Sequence, residues 1–347
     1  MKILGIETSC DETATAIVEN GKKILSSITT SSEELQKKFG GIIPEQAARE
    51  QLKYIIPVID QVSQKAKLKL ENIDALAVTY GPGLIGSLIV GLETAKTLSF
   101  VLKKPLIPVH HLLSHIYANF LNQDRTISLP AICLIVSGGH TDLLLMSQKH
   151  TFKWLGGTRD DAAGECFDKT ARMIGLNYPG GPAIEQAAQQ LPTPNHKLKI
   201  KLPRPIIATN DFDFSFSGLK TAVLTLTQKR NQFKNLTSQQ FASLLAYEIQ
   251  EAITDVLVVK TLKATQKYKT KSILIGGGVA ANKQLRKKFT QVCKTHFCKN
   301  TKVKKVALFI PSPKFCTDNA AITATTAYYQ NRPVDWHNLK PEPSLHF

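Results

Sequence analysis

Both halves of this chain open with the same local pattern of a strand, a turn of small residues and a returning strand. In the first half, the apolar run at 3–8 is followed by a second short run at 14–18, and the segment between them carries hydroxyl and acidic side chains. In the second half, the apolar run at 131–136 is followed by a turn at 137–141 and a returning run at 142–146. Short apolar runs bounded by turn residues predict hairpins. The repeat predicts two similar lobes facing each other across a cleft.

Helical and strand patterns alternate after each predicted hairpin. Asn20-Gly21 is a strong turn signal and leads into a third strand. Apolar periodicity predicts helices at about 45–65 and 87–101, and buried strands at 73–79 and 272–275. This alternation predicts an α/β fold with mixed sheets flanked by helices.

At 347 residues the chain is long enough for two cores. A polar stretch at 122–125 suggests a boundary, so we predict an N-terminal lobe at 1–127 and a C-terminal lobe with a helical insert at 128–317. Residues 318–347 are predicted to form a helix and tail that return to the N-terminal lobe.

Composition and the N-terminal sequence suggest where the protein works. Six cysteines without paired metal-type spacing predict free thiols in a reducing compartment. The first residues read directly as a strand with no charged leader, and no uncharged apolar run reaches about 18 residues, so a membrane span is not expected. A cytoplasmic protein is predicted.

Positive charge is concentrated in the second half of the chain. The formal net charge is +17, and lysines and arginines cluster at 197–204, 260–271 and 283–305. A solvated surface would explain any one cluster. Three clusters favour a polyanionic partner, most simply nucleic acid.

Two histidines in one short segment are candidate metal ligands. His111 and His115 are four residues apart, so in a helix their imidazoles lie on one face and could hold one ion. Asp318 could supply a third ligand from a distant part of the sequence. Two histidines and a carboxylate suit a divalent transition metal with open coordination positions.

Glycine-rich turns after buried strands are candidate phosphate-binding sites. Three such turns occur, at 81–86, 137–139 and 276–278, and their N–H groups are accessible because no Cβ intrudes. None matches a phosphate-loop or dinucleotide fingerprint. Asp161, Glu165 and Asp168 are predicted to share one helix face without counter-charges, which favours an external partner such as ribose hydroxyls or a cation.

Seven motifs occur in an order that closely resembles the tRNA N6-adenosine threonylcarbamoyltransferase family, formerly called O-sialoglycoprotein endopeptidases. The resemblance runs from the first residue to about Ala327. The motifs are Gly-Ile-Glu-Thr-Ser-Cys-Asp-Glu-Thr at 5–13, the His111/His115 pair, Val-Ser-Gly-Gly-His-Thr at 136–141, Asp-Ala-Ala-Gly-Glu with Phe-Asp-Lys at 161–169, Tyr-Pro-Gly-Gly-Pro at 178–182, Phe-Ser-Phe-Ser-Gly-Leu-Lys at 214–220 and Gly-Gly-Val-Ala-Ala-Asn at 277–282.

The resemblance implies a fold and a reaction. The fold is the actin and sugar-kinase type, with two ribonuclease-H-like lobes and a nucleotide cleft between them. The reaction moves the threonylcarbamoyl group of threonylcarbamoyl adenylate to N6 of the adenosine 3′ of the anticodon, position 37, in tRNAs reading codons that begin with A, and releases AMP. Family members of the bacterial type work with an inactive paralogue and a small ATPase.

The resemblance also implies residue roles. His111, His115 and Asp318 resemble the ligands of one divalent ion per subunit, Fe2+ or Zn2+. Asp11 and Glu12 match the acidic hairpin tip near the reacting group. The adenylate-binding residues carried over by motif are Ile135, Val136, Ser137, Gly138, Gly139, Asp168, Gly181, Glu185 and Asn282.

Three positions depart from the family pattern. Archaeal members have a tyrosine ligand where this chain has Ile135, so a phenolate ligand is excluded. Gln51 replaces the usual histidine and His110 the usual asparagine, and the sequence does not define the role of either.

Two other functions compete with transfer. A metalloprotease helix has a glutamate base directly after its first histidine, and here that position is Leu112. A nucleotide-binding ATPase that serves as a scaffold in a larger complex would suit the same fold, because a fold does not fix a function.

Overall fold

The computed structural model describes residues 1–32, 41–123, 125–190, 200–296 and 306–347. These residues divide into two compact units: unit 1 comprises Met1–Thr126 and Pro311–Phe347, and unit 2 comprises Ile127–Ile310. Part of the lysine-rich sequence lies outside the described ranges, namely Lys197, Lys199, Lys299, Lys302, Lys304 and Lys305. Cys298 also lies outside them.

Unit 1 is built on a five-stranded mixed sheet. Its strands and helices up to residue 117 are β1 (Lys2–Glu7), β2 (Glu12–Glu19), β3 (Lys23–Ser31), α1 (Pro44–Ala66), β4 (Ala75–Gly81), α2 (Ile85–Leu102), β5 (Leu106–His110) and α3 (His111–Tyr117). The strand order is β3-β2-β1-β4-β5. The first three strands are antiparallel, and β1, β4 and β5 are parallel.

Unit 2 repeats this arrangement. Its elements are β6 (Ala131–Val136), β7 (Thr141–Met146), β8 (Phe152–Gly157), α4 (Ala163–Met173), α5 (Gly180–Gln189), α6 (Ser217–Gln228), α7 (Ser238–Lys267), β9 (Ser272–Gly276), α8 (Lys283–His296) and β10 (Ala307–Phe309). The order β10-β9-β6-β7-β8 again joins three antiparallel strands to two parallel ones. The two mixed sheets, with flanking helices, confirm the predicted pair of ribonuclease-H-like lobes.

The last helix, α9 (Ala320–Gln330), packs on the unit 1 sheet. Its small residues Ala320 and Ala324 are fully buried against β1 and β2. Gly5 makes this approach possible, because a Cβ at that position would overlap the Ala320 carbonyl oxygen and Ala324. This packing places the start of α9 at the sheet of unit 1.

Helix α2 is long and apolar enough, by length and composition alone, to cross a membrane, whereas no span was predicted from the sequence. Leu88, Leu92 and Ala95 are fully buried, so one face of α2 belongs to the core of unit 1. Core packing therefore accounts for part of its apolar composition.

The described cysteines are free thiols, as predicted, and four of the five are buried. Burial raises the pKa of the Cys166 thiol to about 12. Such a thiol is protonated and unreactive at neutral pH.

Several basic residues from the predicted clusters form ion pairs with acidic residues inside unit 2. Lys260 is fully buried, and its Nζ lies 3.0 Å from an oxygen of Asp211. Lys288 pairs with Asp255 at 2.5 Å, and Arg204 lies 3.1 Å from the same carboxylate. Because buried charges require partners, these residues serve the fold.

Candidate functional site

The three parallel strands β1, β4 and β5 of unit 1 end at one edge of the sheet, and two of them end in a polar residue. Glu7 is the last residue of β1, and His110 is the last residue of β5, directly before α3. Ligand sites in open α/β sheets form outside the carboxyl ends of strands. The sheet therefore places His111, at the start of α3, where a binding site is expected.

His111, His115 and Asp318 converge at this edge. The distance from His111 Nε2 to Asp318 Oδ1 is 3.7 Å, and that from His115 Nε2 to the same oxygen is 3.4 Å. One ligand atom from each residue lies within 4.8 Å of the other two. Asp318 reaches the histidines because it lies just before α9, whose first turn is capped by Asn319. The structure thus joins residues more than 200 positions apart in sequence.

Glu7 and Ser9 orient His111. The Ser9 hydroxyl lies 3.1 Å from His111 Nδ1, and Glu7 Oε2 lies 3.5 Å from the same atom. Glu7 is fully buried and also accepts hydrogen bonds from Thr79 (2.5 Å) and Thr323 (3.1 Å). A carboxylate behind a histidine fixes its tautomer and directs the other nitrogen outward. Nε2 of His111 therefore faces Asp318.

The charges of this cluster are strongly coupled. Burial lowers the pKa of His111, but Asp318 and Glu7 outweigh burial and raise it to about 9. Burial raises the pKa of Asp318, but the two histidines lower it to about 2. Burial likewise raises the pKa of Glu7, and His111 reverses this and lowers it. The carboxylates are therefore ionised at neutral pH and stabilise a proton on His111, which a metal ion would have to displace.

The donor set fits a divalent transition metal. Nitrogen and oxygen ligands lie about 2 Å from Zn2+, and separations of 3.4 and 3.7 Å between ligand atoms are compatible with one shared ion. The side chain of Asp318 is 20% exposed, which leaves an approach for a further ligand. Leu112 is buried, so its position offers no base of the metalloprotease kind.

The tip of the first hairpin is held by Gln51, a fully buried side chain on α1. Its Nε2 lies 3.0 Å from the Cys10 carbonyl oxygen and 2.9 Å from that of Glu12. These contacts define the role that the sequence left open: the amide ties the backbone of the tip to α1. The tip carries Asp11 and Glu12, the predicted acidic pair.

The surroundings of Glu12 change its pKa. Burial, together with the charges of Asp318 and Asp11, raises its pKa well above the usual range. Asp318 therefore interacts electrostatically with Glu12 in the hairpin tip as well as with the two histidines. The surroundings of Glu12 therefore favour the protonated form of its carboxyl group.

A second candidate site is a cavity of about 510 Å³ within unit 2. Five of the predicted adenylate-binding residues line it: Gly138, Asp168, Gly181, Glu185 and Asn282. Ser137 and Gly139 lie in the turn beside Gly138 but outside this lining. Ile135 and Val136 are fully buried in β6, so their side chains do not reach the cavity.

Polar residues of the cavity also hold its walls together. Asp168 accepts a hydrogen bond from the Gly180 N–H at 2.7 Å, at the start of α5. Glu185 accepts one from the Lys283 N–H at 2.9 Å. Asn282 caps α8 by accepting the Leu285 N–H at 2.9 Å. The glycine turns supply open backbone next to these caps, an arrangement suited to phosphate and ribose oxygens.

The acidic helix face was predicted wrongly. Helix α4 begins at Ala163, so Asp161 precedes it and does not share its periodicity. Asp161 pairs with Lys169 at 2.7 Å and with Lys220 at 2.8 Å, and Glu165 pairs with Lys169 at 2.7 Å. Counter-charges are present, one of them from a distant helix, so repulsion among these carboxylates does not favour an external cation there.

Sequence reasoning missed two contributors. Glu7 lies within one of the seven motifs, but no role was predicted for it. An acidic residue at the end of a buried strand was the usable signal for such a role. Lys283 lines the cavity and lies 3.6 Å from Glu185. Its position directly after Asn282, at the start of a helix that follows a glycine turn, was the corresponding signal.

The sequence matches one family of known proteins over most of its length. Residues 23–325 match the family model described as tRNA N6-adenosine threonylcarbamoyltransferase. A protein of that name from Syntrophomonas wolfei is 50% identical over 99% of this chain and 97% of its own length. Another, from Persephonella marina, is 45% identical over 94% and 90%.

Two solved structures support the fold at 12% identity. HypF from T. kodakarensis has a TM-score of 0.58 and matches 95% of this chain and 47% of its own. Component A of the Acidaminococcus fermentans (R)-2-hydroxyglutaryl-CoA dehydratase has a TM-score of 0.52, with 95% and 98% coverage. The fold is of the actin and sugar-kinase type. With a family model that spans most of its length and relatives about half identical, the chain belongs to the tRNA N6-adenosine threonylcarbamoyltransferase family.

Proposed function

We propose that the protein transfers a threonylcarbamoyl group from threonylcarbamoyl adenylate to N6 of the adenosine 3′ of the anticodon, in tRNAs that read codons beginning with A. AMP is the second product. The observation that carries the proposal is the convergence of His111, His115 and Asp318 at the carboxyl edge of the unit 1 sheet. We assign these residues to one divalent ion, Fe2+ or Zn2+.

The chemistry supplied by that ion is polarisation of substrate oxygens and compensation of negative charge in the transition state. In the reaction, N6 attacks the carbamoyl carbon, the bond from that carbon to the phosphate oxygen breaks, and one N6 proton must leave. Glu12 or its neighbour Asp11, at the tip of the first hairpin, accepts this proton. The unit 2 cavity binds the AMP portion, and such positioning contributes several kcal/mol to catalysis.

Exposed lysines on α8 are proposed to bind tRNA phosphates. Lys283, Lys287 and Lys294 are exposed and lie four and seven residues apart, so they share one helix face. Lys283 lies at the rim of the unit 2 cavity. This row of three lysines therefore begins at the proposed adenylate site.

We predict that a Lys287→Ala/Lys294→Ala variant binds tRNA more weakly and with a smaller salt dependence. A plot of the logarithm of the tRNA-binding constant against the logarithm of the salt concentration has a negative slope. Each lysine that neutralises a phosphate adds about one unit to the magnitude of that slope. Filter binding between low and physiological salt measures this slope. Lys229→Ala, at an exposed lysine beyond the end of α6, is the control. An unchanged slope in the double variant would assign tRNA binding to another surface.

We also propose that the protein works with an inactive paralogue and a small ATPase. An exposed apolar groove between α1 and α2 supports a protein partner. Leu52 and Ile56 on α1 and Ile89 on α2 line this groove and are 65%, 61% and 44% exposed. Contiguous exposed apolar surface of this kind marks an interaction site.

The deciding experiment is a transfer assay with purified threonylcarbamoyl adenylate and tRNA. Modified nucleoside and AMP in equal amounts are expected, and purified paralogue and ATPase should raise the rate when added. ATP hydrolysis without tRNA modification would favour the scaffold function instead. A rate that neither partner changes would reject the proposed partnership while leaving transfer intact.

A further inference from the structure

The C-terminal residues cross the sheet edge that carries the histidine cluster. The Val334 N–H donates to the Leu106 carbonyl at 2.9 Å, beside β5. The Glu342 N–H then donates to the Tyr80 carbonyl at 2.8 Å, and the Pro343 carbonyl accepts the Gly83 N–H at 3.2 Å. We call residues 334–347 the C-terminal strap. It runs from β5 across the end of β4.

The sequence beneath the strap is adapted to it. Gly81 ends β4, and a Cβ at that position would overlap the Glu342 carbonyl oxygen. Leu339 is 8% exposed and belongs to the apolar core of unit 1, and Trp336 packs edge-on against Phe100 at 5.7 Å. The strap is therefore anchored by side chains as well as by backbone hydrogen bonds.

The strap reaches His110 through Phe347. The two rings are stacked, with centroids 4.9 Å apart and an interplanar angle of 7°. His110 is at once the last residue of β5 and the N-cap of α3, where its Nδ1 accepts the Leu112 N–H at 3.2 Å. The residue that Phe347 contacts thus connects the sheet to the helix that carries both histidines.

A helix of seven residues such as α3 has little stability of its own, since short helices are marginal in water. Its orientation depends on its cap and its packing. His111 follows the cap directly, and His115 is one turn further along the same face. A small rotation of His110 would therefore move both imidazoles relative to Asp318.

We propose that Phe347 is a positioning residue for the metal site: by stacking on His110 it fixes the start of α3 and keeps His111 and His115 in register with Asp318. This inference rests on the metal site proposed above. It gives the strap a role in the site and gives His110 a function as the link.

The test is titration of the metal-stripped protein with Co2+, followed by visible absorption. Phe347→Ala is expected to bind Co2+ about twofold to tenfold more weakly, the range set by one aromatic stack, with weaker bands because the ligand geometry is less uniform. Phe347→Tyr keeps the stack and should restore wild-type binding. His346→Ala, at the exposed neighbouring ring, should not change it.

A double-variant comparison isolates the route through His110. His110→Asn keeps a good N-cap but removes the stacking ring, so adding Phe347→Ala to it should change Co2+ affinity no further. Two results would overturn the inference. The first is a Phe347→Ala protein that binds Co2+ like the wild type. The second is that Phe347→Ala weakens Co2+ binding equally in the wild-type and the His110→Asn protein. If the wild type bound no Co2+, the proposed metal site would be wrong and this role would fall with it.

Discussion

A His111→Ala/His115→Ala protein is expected to lose the proposed metal ion and the proposed transfer activity together. Removing both imidazoles leaves Asp318 as a single carboxylate ligand beside the buried Glu7. Loss of residues that merely support a metal ligand costs about 10-fold to 100-fold in affinity or activity, so loss of two ligands should cost at least about 100-fold. Elemental analysis of protein purified without a metal-affinity tag, paired with the transfer assay, measures both effects.

Two controls separate this result from general damage. AMP binding should be unchanged, because the cavity that we assign to the adenylate is lined by residues of unit 2. His337→Ala/His346→Ala removes two histidines that are exposed and lie outside the cluster, and it should keep the metal. Wild-type metal content and transfer in the His111/His115 variant would reject the metal site.

The local parts of this site could be read from the sequence. Four-residue spacing predicted that His111 and His115 would share a face, and α3 places their ring centroids 4.8 Å apart. Short apolar runs bounded by turn residues predicted both hairpins, because a strand, its turn and the returning strand are formed by residues close in sequence. Such features rest on neighbours in sequence, for which spacing is sufficient.

Parts that depend on distant packing could not be read in this way. The link between Asp318 and the histidines requires α9 to pack against Gly5, and the neutralisation of Asp161 requires Lys220 from α6. The stack of Phe347 on His110 likewise depends on the path of the strap. Family resemblance supplied Asp318, but nothing in the local pattern predicted the lysine or the strap.

The glycine turn after β9 yields the second large effect. Gly277 has φ +93° and ψ 166°, a region that is essentially confined to glycine. A Cβ there would also overlap the Val136 carbonyl group, and neither backbone segment is free to move, because Val136 ends β6 and Gly276 ends β9. Both the conformation and the space therefore require glycine at this position.

Gly277→Ala is accordingly expected to lower the free energy of unfolding by about 1–3 kcal/mol from backbone strain, and by more because of the overlap. It should also weaken AMP binding, since Gly278 and Asn282 next to it line the cavity. Gly278→Ala is the matched control: a methyl group at that position would have no neighbouring atom within 4 Å, so its unfolding free energy should stay within about 0.5 kcal/mol of wild type. Denaturant unfolding followed by fluorescence compares the two. Equal free energies of unfolding for the two variants would mean that the turn can relax. The shape of the cavity would then not depend on the close approach of Gly277 to Val136 at the ends of β9 and β6.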